Sequence, residues 1–217
     1  MHQFNSSRPW RSRPAPSLSV LQKQWLTRPG ALTVALRALG NLKLRVLAEY
    51  PAGAQPDEAY RLGTTVYAPV WVREIVMEIA QTECVVARSV TPLRASHGVW
   101  QGVRRLQSRP LADILYDDVA ILRSDFEVAR LKRQIPLYQT AMRTLSLSTG
   151  RHSLSQQALL ARRSVFWRQG TPLLVAECFL PEFWQLLGSL KTQPPGHRDG
   201  YHWPQHSHLA DSWTNAK

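Results

Sequence analysis

Two stretches of this chain each set one charged side chain into an otherwise apolar alternation. In Trp71-Val72-Arg73-Glu74-Ile75-Val76-Met77-Glu78-Ile79, alternate positions from Trp71 read Trp, Arg, Ile, Met and Ile. In Leu173-Leu174-Val175-Ala176-Glu177-Cys178-Phe179-Leu180, alternate positions from Leu173 read Leu, Val, Glu and Phe. Strand side chains alternate between the two faces of a sheet, so Arg73 and Glu177 are expected to point where their apolar neighbours point. A buried guanidinium or carboxylate is costly without a partner. One arginine and one carboxylate aimed into a covered face would suit a small anionic ligand. They would equally well satisfy each other, and alternation alone leaves both readings open.

The elements that must position these two residues can be followed along the chain. Residues 1–16, rich in Pro, Ser and Arg, are expected to be a disordered basic tail. Apolar residues at 18, 21, 25 and 26 have helical spacing. A second short helix is expected after Thr27-Arg28-Pro29, with Thr27 as its cap and Gly40 as its stop. Leu42–Tyr50 alternates as a half-buried strand, and Pro51–Asp57 reads as a loop. Trp71–Ile79 and Cys84–Val90 form an expected hairpin across the polar link Ala80–Glu83. A helix is expected over Pro110–Tyr116 and an alternating strand over Ala120–Arg130. Val165–Arg168 and Leu173–Leu180 read as a last hairpin around Gln169-Gly170-Thr171. Strands outnumber helices and the links are short, which favours antiparallel pairing.

Composition bounds the function classes. A chain of 217 residues with 44% hydrophobic residues and eight tryptophans supports one domain with a real core. No apolar run approaches the ~18 residues of a membrane span, and no secretory h-region opens the chain. Cys84 and Cys178 sit in apolar strand-like runs and are expected to be buried thiols in a reduced compartment, with the cytoplasm as the expected location. The net charge of +12 favours anionic partners without choosing among them. No basic helix or aromatic-basic sheet motif accompanies it, so no nucleic-acid partner is expected, while the basic surface leaves open a weak association with anionic membranes.

Five runs, in order, give the chain a resemblance. Trp71-Val-Arg-Glu-Ile, Ala87-Arg-Ser-Val-Thr-Pro, Arg109-Pro-Leu, Ala161-Arg-Arg-Ser and Pro172-Leu-Leu-Val-Ala-Glu-Cys-Phe-Leu-Pro resemble the chorismate–pyruvate lyase family over roughly Leu18–Pro181. The resemblance implies an α+β fold: a curved antiparallel sheet of about six strands, helices packed on one side, and flaps over an internal ligand site. It implies a cofactor-independent carbon–oxygen lyase that converts chorismate to 4-hydroxybenzoate and pyruvate in ubiquinone biosynthesis. By motif position, Arg73 and Glu177 would be catalytic, Arg73 gripping the ring carboxylate and Glu177 facing the ring hydroxyl. Leu111 and Leu32 would line the site, and Arg88 would be a second arginine near the ligand. The domain would span 17–190, with an insertion at about 134–160 that exceeds the family norm and a disordered tail at 191–217. A monomer is expected.

Each assignment has a bland alternative. Arg73 and Glu177 would be a strand-bridging ion pair, and Arg88 a rim arginine serving a neighbouring strand. Leu32 and Leu111 would be ordinary core residues. Arg162 and Arg163 read as a solvated turn before the last hairpin, not a second carboxylate clamp. His202, His206 and His208 lack a rigid frame for a metal, and no Gly-x-Ser-x-Gly elbow supports a hydrolase around Ser153, Ser155 and Ser164. The rival from another class is a non-catalytic ligand-sensing domain of the same fold, as in bacterial transcription regulators.

Overall fold

The computed structural model describes residues 9–116, 118–149 and 158–192. Its frame is one antiparallel sheet whose seven strands are β1 (Leu42–Gly53), β2 (Pro69–Ile79), β3 (Thr82–Pro92), β4 (Leu122–Arg123), β5 (Glu127–Arg130), β6 (Leu160–Arg168) and β7 (Thr171–Phe179). The spatial order is β1-β2-β3-β7-β6-β4, and β5 also pairs with β6. Both expected hairpins are present. Ala80 and Gln81 link β2 to β3 with φ of 48° and 67°, and Gln169 and Gly170 link β6 to β7 with φ of 49° and 70°. Two consecutive residues in the left-handed region give the turn a twist that matches the flanking strands.

Pairing register decides what shares a face. Arg73 opposes Ser89 across β2 and β3, and Ile75 opposes Ala87. Ala87 opposes Glu177 on β7, and Ser89 opposes Val175. Glu177 and Val175 in turn oppose Arg162 and Ser164 on β6. Arg73 and Glu177 therefore project from the same side of the sheet, on adjacent cross-strand rows, as their alternation predicts.

Helices α1 (Val20–Thr27), α2 (Leu32–Arg37) and α6 (Pro181–Thr192) pack on this side, burying Trp25, Leu36, Phe179 and Phe183 among others. Trp25 meets Phe183 edge-on with ring centroids 4.9 Å apart. Ser19 caps α1 through a reciprocal box with Gln22, while Ala31, not Thr27, precedes α2. The short helix α4 (Ala112–Leu115) and the turns around Ala95–His97 and Gln101–Arg105 complete this layer.

The fold class is as expected, and the opposite face is covered as well. There α3 (Pro56–Leu62) packs with Val70, Val72 and Leu174, and α5 (Pro136–Thr149) brings Leu137, Ala141 and Leu145 onto Val86 and Cys178. The spacing 137, 141, 145 is one helical stripe, so the segment expected to be an insertion contributes a core-forming helix. The expected single strand over Ala120–Arg130 is instead two short strands, β4 and β5.

Residues 9–16, expected in a disordered tail, are anchored. Trp10 is buried in the α5-side core, and Arg11 exchanges two backbone hydrogen bonds with Val128. A large ring gains roughly 1.5–3 kcal/mol from such burial, enough to hold a short segment. Among the described residues no helix is long and apolar enough to cross a membrane. The histidines of the C-terminal segment and the serines at 153 and 155 lie outside the described residues.

Candidate active site

The inner face of the sheet and the segments over it enclose a hollow of about 60 Å³. Leu32 and Leu111 line it from α2 and the start of α4; Glu177 and Arg162 line it from β7 and β6. Ser89 and Ser164 supply hydroxyls to the wall, and Tyr116, Phe126 and Phe166 supply rings. The hollow is open on one side to solvent.

Glu177 occupies the cavity wall because the β7 alternation turns it inward between Val175 and Phe179. Its Oε2 accepts a hydrogen bond of 2.6 Å from Arg162 Nε. Arg162 is itself 2% exposed. Its Nη1 donates to the carbonyl oxygens of Arg28 at 2.9 Å and Trp25 at 3.3 Å. Those carbonyls end α1, where four backbone acceptors lack partners inside the helix. The Phe126 ring lies 4.3 Å from the Arg162 guanidinium carbon. The expectation that Arg162 and Arg163 form a solvated turn is thus corrected. Both are buried in β6 and face opposite sides of the sheet, Arg162 toward the cavity and Arg163 toward Glu127 and Asp57.

Arg73 is 1% exposed on β2, and its cross-strand neighbour Ser89 forms part of the cavity wall. Its Nε donates to Glu49 Oε1 at 2.9 Å. Its Nη2 donates to the carbonyls of Gln107 at 2.6 Å and Arg109 at 3.3 Å. Burial pulls the Arg73 pKa below its ordinary value, and Glu49 offsets part of that pull. A guanidinium so removed from water gains from any further anion brought beside it. Arg73 and Glu177 do not pair with each other: each has its own partner, Glu49 and Arg162 respectively.

Arg88 is not brought to this cavity. It points to the opposite face, where it bonds Glu58 at 2.6 Å, Glu74 at 2.8 Å and the Tyr50 hydroxyl at 3.0 Å. Burial works against its charge, but Glu58 and Tyr50 outweigh burial and raise its pKa. Thr140 and Arg143 of α5 reach the same Glu74 carboxylate, at 2.6 and 2.8 Å. The rim-arginine alternative describes Arg88 better than ligand contact does. It differs in one respect, because Arg88 is buried in a satisfied network.

Arg162, Arg123 and Thr33 are among the cavity residues that escaped the sequence reading. Arg162 could have been found by extending the β6 alternation backward through Phe166, Ser164, Arg162 and Leu160. Thr33 lines the cavity, is 7% exposed, and its Oγ1 has no hydrogen-bond partner among the described residues. Nothing local to Ala-Leu-Thr marks that hydroxyl. Both cysteines are buried and free, and burial pushes the Cys84 thiol up to about 11, so neither is primed as a nucleophile.

Comparison with known proteins gives the family. A family model described as chorismate lyase matches residues 8–188. A protein of Bordetella pertussis named "Probable chorismate pyruvate-lyase" is 54% identical over 180 residues, covering 83% of this chain and 92% of that protein. "Probable chorismate pyruvate-lyase 1" of Pseudomonas entomophila is 40% identical over 178 residues, covering 82% and 92%. Among solved structures, the effector domain of PhnF from Mycobacterium smegmatis is similar with a TM-score of 0.48 and 15% identity, covering 70% of this chain and 90% of that one. On the family match and the identity of these relatives across more than four fifths of its length, the chain belongs to the chorismate lyase family.

Proposed function

We propose that this protein is a chorismate–pyruvate lyase, releasing pyruvate from chorismate to give 4-hydroxybenzoate, and that Arg73 and Glu177 carry the reaction. The observation that carries this is Glu177, a carboxylate held in the wall of an otherwise largely apolar hollow, on the same sheet face as the desolvated guanidinium of Arg73. Chorismate has a ring carboxylate, a ring hydroxyl and an enolpyruvyl ether on the carbon beside that hydroxyl. The carbon–oxygen bond of the ether breaks, the hydrogen on the hydroxyl-bearing carbon leaves as a proton, and the ring becomes aromatic. The departing enolpyruvate takes a proton at its methylene carbon and becomes pyruvate. The reaction is redox-neutral and driven by aromatisation, so it asks the protein for orientation and exclusion of water, with no cofactor.

In this reading Arg73 binds the ring carboxylate, with Glu49 and the Gln107–Arg109 carbonyls fixing its plane. Glu177 accepts the hydrogen bond of the ring hydroxyl and orients the carbon that loses its proton. Leu32 and Leu111 shape the apolar flanks. The product would enter ubiquinone biosynthesis, and the protein would act as a cytoplasmic monomer. Purified protein given chorismate should form 4-hydroxybenzoate and pyruvate in equal amounts. Glu177→Gln should lower kcat by about 10²–10⁴, the span of acid–base and orienting groups. Binding of chorismate without any turnover would instead identify a sensing domain.

A basic groove supports one further partner. Arg11, Arg13, Arg130 and Lys132 line a hollow of about 300 Å³ floored by Leu18 and Leu160. We propose that it gives weak, salt-sensitive association with anionic membrane surfaces. Co-sedimentation with phosphatidylglycerol vesicles at low salt, lost at high salt and in Arg11→Ala/Arg13→Ala, is the expected result; equal binding to neutral vesicles would refute it.

A further inference from the structure

The segments over the cavity set the room a ligand has, so what holds them on the sheet matters to how it works. One cover is the link from α1 to α2 with the first residues of α2, residues 28–33, of which Gly30, Ala31, Leu32 and Thr33 line the hollow. Leu32 packs it on the sheet, and a polar attachment runs through Arg162. Arg162 spends Nε on the Glu177 carboxylate at 2.6 Å and Nη1 on the carbonyls of Arg28 and Trp25 at 2.9 and 3.3 Å. A guanidinium is a planar, rigid fork, so the bonds made by its nitrogens are not independent. Displacing the α1 end withdraws the acceptors that hold the plane, and a turned plane releases the carboxylate. The Phe126 ring, 4.3 Å from the guanidinium carbon, restricts the plane further.

We infer that Arg162 is a positioning residue that couples the aim of Glu177 to closure of the 28–33 cover, so that the carboxylate is oriented for chemistry only when the ligand is enclosed. The inference rests on the lyase reading and deepens it. An unpaired Glu177 would be free to rotate in the wall. With Arg162 in place, the Glu177 oxygen that is not bonded to Nε faces the ligand only in the closed arrangement. Lysine at this position keeps the charge but has no fork, and so serves the carboxylate or the carbonyls but not both.

The test combines kinetics with hydrogen exchange. Arg162→Gln, Arg162→Lys and Glu177→Gln are made singly, and Arg162→Gln is also made in the Glu177→Gln background. The coupling predicts that Arg162→Gln alone lowers kcat about 10²-fold, with a smaller change in KM. It predicts that the same change costs less than about threefold once Glu177 is Gln, because residues acting as a unit are not additive. Amides at the end of α1 and in the body of α2, residues 25–28 and 35–38, should exchange about tenfold faster in Arg162→Gln while β2, β3 and β7 keep their protection. Arg162→Lys should recover part of kcat with the cover still exchanging fast. If Arg162→Gln proves too unstable to assay, Arg162→Lys carries the same cycle with Glu177→Gln. Multiplicative losses in the double variant, or unchanged exchange at 25–28 and 35–38, would overturn the coupling. A wild-type protein that exchanges normally but never turns chorismate over would sink the lyase reading instead, and the exchange comparison would still decide the latch.

Discussion

At the scale of single residues, Thr33 Oγ1 in the cavity wall is a buried polar atom without a hydrogen-bond partner among the described residues. A buried hydroxyl without a partner costs about 1–3 kcal/mol, and a protein keeps such a cost where a ligand later supplies the bond. Thr33→Val is expected to raise the Tm of the free protein while weakening 4-hydroxybenzoate binding, read as a smaller ligand-induced Tm shift. A variant with lowered Tm and unchanged binding would show the hydroxyl serving the fold. Arg73 and Glu177 were legible in the sequence because each is a lone charge in an apolar alternation. Arg162 was not, because two adjacent arginines look like a polar turn when the strand is started at Val165. In the fold they face opposite sides, and each finds a carboxylate there.

At the scale of elements, α5 and β2 are joined through Glu74, which takes bonds from Arg88, Thr140 and Arg143. The three bonds are unequal. Arg143 is 63% exposed, so Arg143→Ala should cost under about 1 kcal/mol. Arg88→Met leaves Glu58 buried without its cation and Glu74 with Arg143 alone, and should cost about 3–5 kcal/mol in denaturant unfolding. Where that variant remains folded, its affinity for 4-hydroxybenzoate should match wild type, since Arg88 faces away from the cavity; a large loss of affinity would restore it to the site. The α5 stripe at Leu137, Ala141 and Leu145 was present in the sequence but diluted by Thr140 and Thr144. Both threonines are buried, and Thr140 bonds Glu74.

At the scale of the whole molecule, the charge of +12 is not simply a solvated surface: Arg73, Arg88, Arg162 and Arg163 are all buried and paired with carboxylates. One carboxylate in this system is held against its preference. Burial, with Glu58 beside it, raises the Asp57 pKa above its ordinary 3.8, and Arg163 offsets only part of this. The unfolded chain then loses that proton at lower pH than the folded one. The Asp57 contribution to stability therefore declines as pH rises from about 3.8 through the raised folded value. Asp57→Asn removes this slope. Its denaturant midpoint relative to wild type should become more favourable between pH 4 and pH 7, and a difference constant with pH would contradict the raised value.

What the sequence determined by itself was the alternation: where most of the strands lie, that two hairpins join them, and that Arg73 and Glu177 share a face. These follow from period-two geometry, which is local. The tertiary structure alone decided that Arg73 and Glu177 take separate partners, that Arg88 lies behind the sheet, and that Arg162 joins Glu177 to the end of α1. Those facts depend on cross-strand register and on helices arriving from more than a hundred residues away, as Arg162 bonding Arg28 shows. A guanidinium in the interior bonds whichever acceptors the packing brings within about 3 Å, and no run of neighbouring residues encodes that choice.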